Sequence, residues 1–308
     1  MRKLDILALV AVVVVAVIGK MVGYGGDAQD EYQPRRPPPV YQAPPSDDRA
    51  QRPLPGRSSA DGIFGVKVGP AGPSSGTAFS IAGDGRWLTA RHVVAGCGQV
   101  IIRTARRKGV TVQRIVTHPN ADVAVLWTRG GAPSLTLSGA DLKTGQSGFG
   151  IGFPGGNPGD VHGQILGRRV MRISGQYRTN EPVIAWSQLR RVPDNGPNLA
   201  GMSGGPMLDR AGRVIGIVVA GAPRRGRTYT AAPISLNDAV RRARLQINRV
   251  PGDRQPLAQL NNRDFPAFGE NLRSRLTVAK VFCRVGQRRA RRPRAWSGRE
   301  NAAVSLGS

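Results

Sequence analysis

The sequence predicts an all-β fold built from short antiparallel strands, and three observations carry this. Glycine and proline account for 41 and 24 of 308 residues while aromatics make up 5%, a balance that favours many turns over long packed helices. Short runs rich in Val, Ile and Thr recur from Ile63 onward, punctuated by Gly, Pro, Asn or Asp. Strand runs do not alternate with helical ones, which argues against a doubly wound parallel sheet. The spacing suits a sandwich or a barrel.

The predicted strands are, in order, IFGVKVG, GTAFSIAG, RWLTARHVV, QVIIRTA, VTVQRIV, DVAVLW, SLTLSG, SGFGIGF, RVIGIVVAG and TYTAAPI. One helix follows. Ser235 is placed to cap it, with Asp238 three residues later, and Leu236, Ala239, Val240, Ala243 and Ile247 share one face. Beyond Val250 the composition loosens, and LTVAKVFCRV is the one stretch there suited to a last strand.

The flanks read differently. Arg2 and Lys3 precede an apolar run from Ile6 to Gly19, and Leu4–Val22 nearly reaches the ~20 residues of a bilayer crossing. Gly26-Asp27-Ala28 is a poor cleavage site. An uncleaved anchor over residues 1–23 is therefore expected, with the rest of the chain outside the membrane; a cleaved signal is the alternative. Residues 24–60 are dense in proline and form an extended linker. The strand-rich body spans 61–248, divided near 140–146, and 249–308 is a basic, mostly irregular extension.

The formal net charge is +26, which predicts attraction to anionic surfaces. Stacking aromatics are sparse, with Trp296 alone in the Arg-rich C-terminal stretch, so an anionic lipid or envelope polymer is a better expectation for that stretch than nucleic acid. Cys97 and Cys283 are the only cysteines. In an exported chain they are candidates for one disulfide, the alternative being two separate thiols. No second His or paired Cys stands at a useful spacing from His162, so neither a metal nor a cofactor is expected.

The stretch NLAGMSGGPMLD places Ser203 among glycines. It is either a solvated turn or a serine whose surroundings are kept open for close approach. G-M-S-G-G also fits the nucleophile elbow of α/β-hydrolases, but that arrangement needs its histidine after the serine. All three histidines, at 92, 118 and 162, precede Ser203. Upstream, LTARHVVAG offers His92 and HPNADVAVLW offers Asp122. The order is His, Asp, Ser. An imidazole that takes the serine proton, a carboxylate that fixes its tautomer, and a serine that attacks form one nucleophilic unit. The N–H groups of Gly201 and Ser203 are candidates for an oxyanion hole. His118 is expected to be structural or solvated.

LTARHVV, DVAVL and GMSGGPML…GRVIGIVVAG resemble the three signature blocks of trypsin-like serine peptidases, over about residues 62–240, most similarly to exported bacterial members such as the high-temperature-requirement proteases and glutamyl endopeptidases. The resemblance implies two six-stranded antiparallel barrels, with His92 and Asp122 on the first and Ser203 on the second. It implies a serine endopeptidase acting on proteins or peptides in the periplasm, anchored in the inner membrane, with secretion after cleavage as the alternative. Asn198, Val219, Ala220 and Gly221 would contact substrate. Met202 stands where digestive members carry an Asp, which argues against zymogen activation. Val218 disfavours Glu specificity and Pro197 disfavours basic specificity, leaving a small or medium apolar P1 residue. Val219 replaces a Ser that often supports the catalytic carboxylate. No PDZ-like domain follows. The rival reading is a latent or inactive protease-fold binding module whose basic tail docks on anionic envelope or lipid partners.

Overall fold

The computed structural model describes residues 52–105, 108–194, 199–246, 249–250 and 259–285. The expected anchor, most of the linker, Pro197, Asn198, Ile247 and the Arg-rich C-terminal stretch lie outside them. Among the described residues no helix is long and apolar enough to cross a membrane.

The elements run β1 (Ile63–Val68), β2 (Ser74–Ala82), β3 (Arg86–Thr89), α1 (Arg91–Val94), β4 (Gln99–Ala105), β5 (Lys108–Thr117), β6 (Ala124–Thr128), β7 (Leu137–Ser138), β8 (Ser147–Gly152), β9 (Gly159–Gly175), β10 (Thr179–Val192), β11 (Pro206–Leu208), β12 (Val214–Ala222), β13 (Arg227–Ala231), α2 (Pro233–Arg242), β14 (Arg249–Val250), α3 (Phe265–Ser274) and β15 (Val278–Arg284). The fold is mostly β, as its turn-rich composition predicts.

One set of strands closes a barrel in the order β15-β2-β3-β6-β5-β4. Its interior is apolar: Phe79, Leu88, Ile102, Leu126 and Val281 are fully buried. The second set also returns on itself, because β11 pairs both β8 and β12, closing the path β11-β8-β9-β10-β13-β12. β7 and β14 continue from β12, and β1 adds to β9 in parallel, Ile63 opposite Val170. Trp186, Met202 and Met207 fill the centre of this second ring.

Among the described residues of the 249–308 extension, α3 and β15 are regular, and β15, the stretch suited to a last strand, closes the first barrel antiparallel to β2 and β4. Its Val and Phe run gave the local signal, but its partners lie far away in sequence. Two expectations need correction. The 17-residue β9 and 14-residue β10 are absent from the predicted strands. Their arginines break the apolar pattern, and β10 carries register shifts at Ala185/Trp186 and Gln188/Arg190, which defeat a strict period of two. The helix over Pro233–Arg242 begins before Ser235, with Ala232 as N-cap and Pro233 in its first turn. Proline is pre-set for that position and lacks the N–H a helix start would leave unbonded.

The C-terminal segment joins the two rings. Arg273 on α3 makes two bonds to Asp160 on β9, at 2.6 and 2.9 Å, with both side chains buried. A Cβ at Gly269 would come within 2.6 Å of Asp160 Oδ1, so the helix lies directly against this ion pair. Eight residues further on, Val281 sits inside the first barrel, and Cys283 is bonded to Cys97 just beyond α1. The disulfide is that expected from the sequence, and it points to an oxidising compartment.

Breaking a buried ion pair on one side leaves the other charge unpaired, at a cost of about 3–5 kcal/mol. Arg273→Met is expected to lower stability by that order in a denaturant titration, and a loss below about 1 kcal/mol contradicts the pairing.

Candidate active site

β3 ends at Thr89, and one turn of helix then carries His92. The sequence suggested a strand-end histidine; the short α1 instead turns its ring back over the loop before β6. That loop carries Asp122, which is 1% exposed. His92 Nδ1 lies 2.6 Å from Asp122 Oδ2, and the His92 backbone N–H donates to Asp122 Oδ1 at 2.8 Å. With Asp122 ionised, Nδ1 carries the proton and Nε2 is left as the acceptor. Burial works against the charge on His92, but the charge and hydrogen bond of Asp122 outweigh it and hold His92 above its ordinary value. Burial likewise pushes Asp122 up, and His92 together with the Tyr177 hydroxyl pulls it below the usual carboxylate range.

Two residues of the second ring complete the environment of Asp122. Tyr177, in the turn between β9 and β10, donates its hydroxyl to Asp122 Oδ1 at 2.9 Å. The Arg91 guanidinium stacks on the Tyr177 ring, 3.9 Å from its centroid. Glu181 on β10 accepts the backbone N–H of Asp122 at 2.9 Å. Glu181 is fully buried. Burial and then the charge of Asp122 hold its carboxyl well above the usual range. Neither residue was identified from the sequence. A tyrosine in a Gly-Gln-Tyr turn and a glutamate before a proline carry no local signal of a partner more than fifty residues away. Tyr177 supplies the donor that was expected to be missing because Val219 replaces a serine.

Ser203 lies between β10 and β11. Its backbone oxygen accepts from the Thr77 N–H on β2 at 2.8 Å. A Cβ at Gly76 would fall 2.6 Å from Val93, next to His92, and 3.0 Å from Ser203 O. Gly204 has φ +88, and a Cβ there would meet Thr77 O at 2.1 Å and Ala90 N at 2.9 Å. Only glycine fits that approach. The serine loop is therefore seated against the segment that carries His92. No hydrogen bond joins Ser203 Oγ to His92 in this structure.

The loop itself is held firmly. Met202 is fully buried in the second ring, and its N–H donates to Leu199 O at 2.9 Å. Apolar packing thus anchors the position where an Asp was noted as missing. Gly201 has φ +95. Gly155 N–H donates to Ala200 O at 2.6 Å, and the Thr77 hydroxyl donates to Gly201 O at 2.7 Å. Both peptides flanking Gly201 are fixed by their carbonyls. A trans peptide points its N–H away from its C=O, so Gly201 N–H faces away from the 153–156 turn. Among the described residues, neither Gly201 N–H nor Ser203 N–H donates a hydrogen bond to the protein.

A cleft of about 530 Å³ opens on the His92–Asp122 pair, lined by these two with Gln176, Val219, Ala220, Gly221 and residues 66–74; Ser203 and Gly201 are not among its lining residues. Val219 is buried, and Leu199 lies against Gly221, 3.3 Å from where a Cβ would be. The other two histidines are elsewhere. His118 Nε2 meets Asp238 Oδ2 at 2.7 Å while its Nδ1 accepts the Asn120 N–H. His162 stacks on Phe149 and is pushed down to about 4, mainly by burial. The described residues contain no group of three His, Cys, Asp or Glu able to hold a metal.

Residues 76–217 match the trypsin-like peptidase domain. The chain thus carries a trypsin-like serine peptidase domain. Among curated proteins it is 35% identical over 146 residues to a probable periplasmic DegP-like serine endoprotease of Pseudomonas fluorescens, covering 47% of this chain and 29% of that protein. A protein of the same description from Hahella chejuensis is 32% identical over 161 residues, covering 50% and 32%. The homology is distant, and the chain spans under a third of the length of these relatives. Among solved structures it is similar to the active form of the Rv3671c protease from M. tuberculosis, at 25% identity and TM-score 0.45, over 56% of this chain and 74% of that one. It is also similar to the HtrA-type protease AlgW with a decapeptide, at 26% identity and TM-score 0.42, over 53% and 50%.

If His92 must be neutral to accept a proton, activity is lost as pH falls through its folded value, which lies above 6.5. The acid limb of kcat/KM is expected to have its midpoint above 6.5, measured on any cleaved peptide; a midpoint below that value contradicts the pairing with Asp122.

Proposed function

We propose that this chain is a serine endopeptidase that cleaves proteins outside the cytoplasmic membrane. Ser203 is the nucleophile, His92 Nε2 takes its proton and returns it to the leaving amine, and Asp122 holds the ring and supports the imidazolium. Gly201 and Ser203 N–H stabilise the oxyanion. The single observation that carries this reading is the His92–Asp122 pair opening onto a cleft beside a serine loop with two undonated N–H groups. The homologous proteins described as periplasmic, together with the disulfide, support the compartment.

The two closed rings act as the two barrels of a chymotrypsin-like fold, residues 61–248 with β15 added from the chain beyond. Val219, Ala220 and Gly221 hold the substrate backbone, and Asn198, outside the described residues, is a further substrate contact. Leu199 packed against Gly221 supports a small or medium apolar P1 residue. Residues 1–23 anchor the chain in the inner membrane and the proline-rich linker spaces the catalytic body from it, ending where Leu54 packs into the second ring.

The test is a digest of a diverse peptide library by the full-length protein, read by mass spectrometry. Ser203→Ala is expected to abolish the cuts, since loss of such a nucleophile costs about 10⁶-fold in kcat. Equal cleavage by wild type and Ser203→Ala overturns the assignment. No cleavage by either favours the latent, ligand-docking reading.

A further inference from the structure

Beyond the cleft lies a second groove of about 830 Å³ on the outer face of the first barrel. Residues alternate sides along a strand. On β15, Val281 and Cys283 point into the barrel, leaving Phe282 half-buried and Arg284 exposed outside. On β4, Ile101 and Arg103 point outward in the same way. Ile101 stands opposite Phe282 in the register, and Gln99 opposite Arg284. These side chains therefore share one face.

The groove is kept open at Gly109. A Cβ there would come within 2.6 Å of Ile101 Cγ2. The result is an apolar floor of Ile101 and Phe282 bordered by Arg103, Lys108 and Arg284. No acidic residue lines it. Among the described residues none of these three cations pairs with a carboxylate: Arg103 Nε donates only to the Ala105 carbonyl. Arg103 and Lys280 both lie over the Phe282 ring, at 5.7 and 5.4 Å, and after burial the charge of Arg103 is what holds Lys280 below its ordinary value. Cations gathered without counter-charges create a field that favours an anionic ligand.

The groove meets the catalytic cleft. Pro73 and Ser74 line both. Ser75, next along β2, stands opposite Phe282 and immediately precedes Gly76, which touches the serine loop. The cleft and the groove therefore share a wall, so one polypeptide can contact both. The chain's own C-terminal stretch is an unsuitable occupant, because its arginines from Arg288 to Arg299 carry the same sign.

We infer that this groove is an exosite that binds an acidic, partly apolar segment of the protein substrate, flanking the bond that is cut. The inference rests on the peptidase reading above and adds a substrate class to it: proteins with an acidic stretch near the cleavage site.

The test uses a neutral quenched peptide cut by the full-length protein, compared with versions extended by four Glu or four Lys on either side of the cut. A Glu extension on one side is expected to lower KM about tenfold at low salt, an effect screened away near 0.5 M salt. The triple variant R103E/K108E/R284E is expected to cut the neutral peptide at the wild-type rate but to gain nothing from the Glu extension. An equal gain by variant and wild type overturns the exosite. Binding is read separately, by anisotropy of a labelled Glu-extended peptide on the Ser203→Ala chain. Weakening of about tenfold in the same triple background supports the exosite even if wild type cuts no peptide, which would be a failure of the peptidase reading alone. Release of the triple variant from phosphatidylglycerol vesicles with unchanged peptide binding overturns the exosite and assigns the cations to a lipid surface.

Discussion

A carboxylate with 1% exposure must be supplied with hydrogen-bond donors, because an unpaired buried charge costs several kcal/mol. Asp122 receives three: the ring and the backbone N–H of His92, and the hydroxyl of Tyr177. Two come from the first barrel and one from the second ring. The backbone of Asp122 is held from the second ring as well, through Glu181. The pair that would activate the serine is thus built on one ring and held by the other.

The serine loop shows the converse dependence. It belongs to the second ring, where Met202 anchors it, yet Thr77 of the first barrel holds it at two points. Thr77 is fully buried, and its hydroxyl also accepts the Phe153 N–H at 3.2 Å. One hydroxyl therefore sets both the turn at 153–156 and the peptide after Gly201. Gly201 would otherwise be free to rotate. The chain beyond residue 264 strengthens the same junction: Arg273 grips Asp160 on one ring while β15 closes the other, and Lys280 on β15 donates to the Gly156 carbonyl in the turn that fixes Ala200. Neither ring holds all the parts of the proposed site, which meet at the interface between them.

The contrast between local and long-range signals explains what could be read in advance. Strands β2 to β6 were legible because Val, Ile and Thr runs bounded by turn residues leave a local pattern. His92, Asp122 and Ser203 stood out because the proposed chemistry restricts residue type and order, and the structure does bring His92 and Asp122 to 2.6 Å. β9 and β10 were hidden by arginines on their outward faces and by register shifts. The place of β15 in the first barrel was hidden for a different reason, since its partners β2 and β4 lie about 200 and 180 residues earlier. Thr77, Tyr177 and Glu181 are common residues in unremarkable contexts. Only the fold shows that each reaches across the interface.

The central claim is that each ring holds the reacting group of the other. The most direct measurement is the steady-state kinetics of Tyr177→Phe and Thr77→Val on one cleaved peptide, with Thr77→Ser as the conservative control and melting temperatures recorded alongside. The account predicts that kcat falls by about tenfold or more in both variants, on the scale of a lost hydrogen bond to a charged group or a misplaced oxyanion donor. KM and melting temperature should stay close to wild type, and Thr77→Ser should retain most of the rate. Wild-type kcat in either variant, or a Thr77→Ser enzyme as slow as Thr77→Val, would contradict it.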